Sequence, residues 1–184
     1  MPWPRWTTPA AWLLFALWLN KLLFSIGQGV GWNMLWLCHV GTLLLCIACL
    51  LRQRRLAVVA SLWVMTGLPV WAADAWAAQQ APLASVLSHG AGFAVALYIV
   101  RAIGVERWDW LVATLGFVAV QALSRGVTPP ALNVNLAHGI YRGWENMFPS
   151  YWVYNAVITA GLAAALAATQ WLFGRWSARS SRGV

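Results

Sequence analysis

The feature that most constrains this chain is a succession of apolar runs, each close to the length that carries a helix across a bilayer. A hydrocarbon layer of roughly 30 Å takes about 20 helical residues. A backbone in lipid must satisfy its own hydrogen bonds, which restricts it to helices or closed barrels. The period-two segments of an outer-membrane barrel are not seen. With 61% hydrophobic and only 9% charged residues, the chain is expected to be an all-α integral membrane protein. It reads as one domain over 1–184, with no internal repeat.

Runs bounded by charges or turn residues predict a bundle of six transmembrane helices. The first three spans are about Ala11 to Gly31, about Met34 to Leu51 and about Ala57 to Trp76. The others are about Ala84 to Ile103, about Trp110 to Ser124 and about Tyr151 to Phe173. The first run follows Met1-Pro-Trp-Pro-Arg-Trp without a small-residue cleavage site, so it is expected to be a retained span and not a signal peptide. A net charge of +8 would point to nucleic acid in a soluble protein. Here the basic residues sit in short connections and read as topology signals, so lipid is the expected partner. Arg5, Arg52, Arg54, Arg55, Arg101, Arg107, Arg175, Arg179 and Arg182 fall on one side and only Arg125 and Arg142 on the other. That bias predicts both termini in the cytoplasm and a bacterial-type inner membrane. Trp3, Trp6, Trp32, Trp36, Trp71, Trp76, Trp108, Trp110, Trp152 and Trp176 lie near span ends, where an interfacial tryptophan belt is expected.

The connection between spans five and six, Gly126 to Ser150, is much the longest and opens with Pro129-Pro130. Long connections are often functional. Leu136, Ile140, Trp144 and Met147 recur at helical spacing, while Asn135, His138, Arg142 and Glu145 form a second stripe. The pattern predicts an interfacial or re-entrant helix on the outer side.

Three histidines are placed near that outer face. His39 and His89 lie a short way inside spans two and four, and His138 is in the long connection. Ionisable residues are costly in a span, so they face a bundle interior or a wet cavity and count as site candidates. The bland alternative is that each imidazole hydrogen-bonds across a helix pair and only holds helices together. The stripe His39, Thr42, Cys46, Cys49 is expected to face inward, as is Ser85, His89, Gly92, Ala96, whose small residues suit close helix approach. Cys38, Cys46 and Cys49 share one span and are expected as free thiols. Lys21 sits mid-span and needs a partner, with Asp74 the nearest acid by depth; a substrate-binding role is the functional reading. His138, Arg142 and Glu145 could serve as general base, anion clamp and orienting carboxylate, with Asn135 beside them to bind substrate, or could be an ordinary solvated face.

Two stretches carry a resemblance. Leu87-Ser-His-Gly-Ala-Gly-Phe-Ala-Val-Ala-Leu-Tyr98 resembles the histidine helix of the androgen-induced intramembrane hydrolase and acyltransferase superfamily and its bacterial relatives. The stretch from Asn133-Val-Asn-Leu-Ala-His138 through Met147-Phe-Pro-Ser-Tyr-Trp-Val-Tyr154 resembles its Asn-rich loop and the aromatic lead into the last span. The resemblance implies hydrolysis or transfer of an acyl group on a lipid substrate. It puts His89 in the place of the family histidine, as general acid and base, with a nucleophile on an earlier helix. Thr42 and Cys38 are the candidates for that nucleophile, His39 and His138 would assist, and Arg142 would hold an anionic head group.

Other classes stay open. His39 and His89 at matched depth could be the axial ligands of a b-type haem, making the protein an electron carrier. His39, His89 and His138 could hold Zn²⁺ with Glu145 as base. A non-enzymatic membrane subunit or carrier is the third class. There is no Gly-x-Ser-x-Gly, His-Glu-x-x-His or phosphate-binding glycine loop, which removes the usual support for soluble-hydrolase, zincin and nucleotide-binding readings.

Overall fold

The computed structural model describes residues 3–77, 79 and 81–180, with side chains as far as residue 175. Arg182 and the side chains of Trp176 and Arg179 therefore lie outside the described residues. All regular structure among them is helical: α1 (Thr7–Gly27), α2 (Leu37–Leu51), α3 (Arg54–Ala77), α4 (Leu83–Ile103), α5 (Asp109–Val127) and α6 (Tyr151–Ser180). Five of these are long and apolar enough to cross a membrane, and α2 is a shorter apolar helix. The bundle leaves Leu13, Leu23 and Ile26 of α1 and Trp152, Val157 and Leu172 of α6 exposed. Contiguous apolar surface of that extent is unfavourable in water and suits lipid, as expected of a multi-pass membrane protein.

Helix α3 is the centre of the bundle. Every residue from Ala57 to Met65 is buried, and α3 packs against α2, α4, α5 and α6, while α1 closes over α2 and α4. Glycines permit the close approaches. A Cβ on Gly41 of α2 would lie 3.2 Å from Trp63 and Val64, and one on Gly116 of α5 would lie 2.6 Å from Trp63 Cζ2. The indole of Trp63 thus lies flush against α5 and donates from Nε1 to Ala113 O at 2.9 Å.

Polar ties sort to the two ends. At one end the Trp6 ring meets Tyr98, Arg54 pairs with Glu106, and Gln170 accepts from Trp110 N at 2.7 Å while donating to Arg107 O at 3.1 Å. At the other end Asp74 accepts from the Tyr141 hydroxyl at 3.1 Å, which joins the tip of α3 to the α5–α6 connection. This hydrogen bond also holds the Tyr141 phenol above its ordinary pKa, because the neighbouring carboxylate favours the protonated hydroxyl.

The α5–α6 connection corrects one expectation. In place of an interfacial helix it forms three short 3-10 turns, Pro130–Leu132, Val134–Leu136 and Glu145–Met147. Asn133, Asn135 and Leu136 have φ of 42°, 53° and 57°. Asparagine enters this left-handed region readily because its side chain can hydrogen-bond nearby backbone. Asn133 does so, accepting at Oδ1 from His138 N and Gly139 N and donating from Nδ2 to Gly139 O, each at 3.0 Å. The helical spacing of Leu136, Ile140, Trp144 and Met147 is overridden by these side-chain bonds.

Candidate functional site

The first turn of α2 and the first two turns of α4 converge. Ring centroids of His39 and His89 are 5.4 Å apart, and one ligating atom from each of Cys38, His39 and His89 lies within 4.8 Å of the others. Both imidazoles are buried and Cys38 is half-buried. The inward stripes do what their composition predicts. His39, Thr42, Cys46 and Cys49 are all buried, as are Ser85, His89, Gly92 and Ala96. A Cβ on Gly92 would lie 3.5 Å from Thr42 Oγ1, so a glycine there keeps α4 close to α2. The three cysteines are free thiols.

The environment of His89 is specific. Its Nδ1 lies 2.8 Å from the Ser85 carbonyl one turn back. A carbonyl only accepts, so Nδ1 carries the proton, and in the neutral ring Nε2 holds the lone pair. That Nε2 is buried and has no hydrogen-bond partner among the described residues. Trp71 lies flat on the ring, 4.4 Å between centroids and 11° between planes, and its own Nε1 donates to Ser85 Oγ at 3.1 Å. Trp71, expected in the interfacial belt, is therefore a wall of the site. Pro69 lies within α3 two residues earlier, removing one backbone donor from the helix.

Beneath the site is a cap reached from far along the chain. Asn135, buried to within 3%, accepts at Oδ1 from Leu37 N at 2.9 Å and donates from Nδ2 to Leu35 O at 2.7 Å and Ser124 Oγ at 2.9 Å. Helix N-termini leave backbone donors without intrahelical partners, and Asn135 supplies one for α2 immediately before Cys38 and His39. Its backbone carbonyl accepts from Gln121 Nε2 at 3.0 Å. Expected as a substrate-binding residue, Asn135 has both amide hydrogens and its oxygen engaged in holding the loop to α2 and α5.

The remaining candidates are placed as follows. Thr42 donates to Cys38 O at 2.8 Å, so its hydroxyl is turned back along its own helix. Lys21 is half-buried on α1, its Nζ 5.5 Å from the Phe24 ring. It does not pair with Asp74, which bonds Tyr141. His138 is not part of the cluster: its Nε2 shares a hydrogen bond of 3.0 Å with Thr128 Oγ1. The three-histidine zinc set is thus not assembled, and Cys38 takes the third position. Glu145 accepts from Gly143 N at 2.8 Å in a local turn, and Arg142 is exposed without a polar partner among the described residues, so His138, Arg142 and Glu145 do not converge.

His39 and His89, with ring centroids 5.4 Å apart and tilted by 60°, would have to part to admit a haem macrocycle between two axial imidazoles. No family model, no curated protein and no solved structure matches the chain.

Proposed function

We propose that this is a six-span inner-membrane enzyme that hydrolyses or transfers the acyl group of a lipid or lipid-linked substrate at the Cys38, His39 and His89 centre, near the outer face. The single observation that carries the reading is the buried, unpartnered Nε2 of His89 beside His39 and Cys38. A buried lone pair without a donor is costly, about 1–3 kcal/mol, and calls for an explanation. A general base is one, since it must keep a lone pair free for the proton it takes. In the proposed step a water or lipid hydroxyl gives its proton to Nε2 as its oxygen bonds to the acyl carbonyl carbon. The bond to the leaving oxygen then breaks, and that oxygen receives the proton from the imidazolium.

Both stretches that carry the family resemblance bear on this centre. The first supplies His89, and the second supplies Asn135, which caps the helix of Cys38 and His39. The sorted ends support this topology: the end with Arg54, Arg101 and Arg107 is read as cytoplasmic from its positive charge, and α2, with the 3-10 turn Gly31–Leu35 before it, is read as the second crossing.

The reading is tested with purified protein in phosphatidylethanolamine and phosphatidylglycerol vesicles, following released fatty acid and acyl exchange by mass spectrometry. Product formation that disappears in His89→Gln at unchanged thermal stability supports it. No product above an empty-vesicle control, or product undiminished in His89→Gln, refutes it.

A further inference from the structure

The same centre has the composition and geometry of a metal site. We propose that Cys38, His39 and His89 bind one zinc ion through one sulfur and two imidazole nitrogens, leaving a fourth position open. Zinc takes thiolate and imidazole ligands tetrahedrally, and sites with three protein ligands keep the fourth for water or substrate. Its bond lengths put ligand atoms roughly 3.3–3.8 Å apart in a tetrahedron. The three atoms already lie within 4.8 Å of one another, so small side-chain rotations close the set.

The surroundings of His89 are those of a ligand. A metal-bound histidine typically donates its other ring N–H to a backbone carbonyl or carboxylate, which fixes the tautomer and the ring plane. Nδ1 of His89 is held in this way by Ser85 O, Trp71 fixes the ring from its face, and Nε2 is left without a partner. His39 makes no side-chain hydrogen bond among the described residues, and Gly67 of α3 lies against Cys38, where a Cβ would come within 3.5 Å of its own Cβ.

This assignment makes Cys38 a ligand and not the attacking group, and it makes Nε2 of His89 a ligand and not the free general base, so in the zinc-bound protein the open fourth position, and not His89, would activate the attacking water. It does not rest on the acyl reading, because the ion is detected without any lipid substrate.

The test is cobalt substitution of the full chain in detergent. Protein stripped with a chelator is titrated with Co²⁺ alone, reading the thiolate-to-cobalt charge-transfer band, and then with Zn²⁺ as competitor. The chain has three cysteines, so the Cys46→Ala/Cys49→Ala double variant retains Cys38 alone. The proposal expects about one Co²⁺ per chain, displaced by Zn²⁺, with the band kept in that double variant. It also expects the band to be lost in Cys38→Ala and affinity to fall at least tenfold in His89→Gln. No charge-transfer band in the native chain or the double variant overturns the proposal, as does a band that persists in Cys38→Ala. If Cys38→Ala does not purify, the double variant decides the matter by itself.

Discussion

Two polar clusters lie close together at one end of the bundle, and they differ in what their hydrogen bonds leave over. Around Asn135 every side-chain polar atom is engaged, reaching α2, α5 and the α1–α2 connection. Around His89 one nitrogen is held and the other is buried without a partner. A closed network defines structure, whereas an open lone pair at low dielectric is expensive, and beside a second imidazole and a thiol it marks a candidate site for chemistry or a ligand. The contrast places Asn135 in a satisfied structural network and underlies the proposal that the histidine pair carries the function.

The sharpest way to break that contrast is to exchange each residue and read both activity and stability. His89→Gln should lower acyl turnover by about 10²–10⁴-fold with little change in melting temperature; an equal loss of both would remove the distinction. Asn135→Ala should act in the opposite sense. It removes a helix cap worth about 1 kcal/mol and leaves buried groups unsatisfied at about 1–3 kcal/mol. Denaturation in mixed micelles should therefore show a loss of about 2–4 kcal/mol.

Gly116→Ala provides a packing reference away from both clusters. Its Cβ would meet Trp63 at 2.6 Å, and overpacking costs about 1–3 kcal/mol, of which helix propensity returns up to about 1 kcal/mol. The smallest effect is expected at Glu145→Gln, on an exposed turn, where stability should stay within about 0.5 kcal/mol and turnover should not change. A large loss of turnover there would restore the loop stripe as a catalytic set.

The pairing of His39 and His89 was legible in the sequence because two inward stripes with small residues, Gly92 and Ala96 among them, put both imidazoles at one depth. The role of Trp71 was not, since indoles near span ends share one composition signal whether they face lipid or a neighbouring ring. Nor was that of Asn135. Its bond to Leu37 joins residues 98 apart, and no local pattern marks a cap delivered from another segment. The periodicity of the connection predicts a helix because apolar spacing gives no sign of left-handed asparagines, here at Asn133 and Asn135. Helix limits followed the apolar runs closely in α4, expected from Ala84 and found from Leu83 to Ile103. They shifted most at the end of α6, expected at Phe173 and found at Ser180, and by four residues in α1, where the run to Gly31 leads into a 3-10 turn and the helix stops at Gly27.

The most direct test of the central claim is product formation by His89→Gln, normalised to folded protein in the phosphatidylethanolamine and phosphatidylglycerol vesicles. The account predicts a fall of at least about a hundredfold at a melting temperature matching the native chain. Turnover equal to that of the native protein would contradict it, because the open nitrogen of His89 would then have no part in the chemistry.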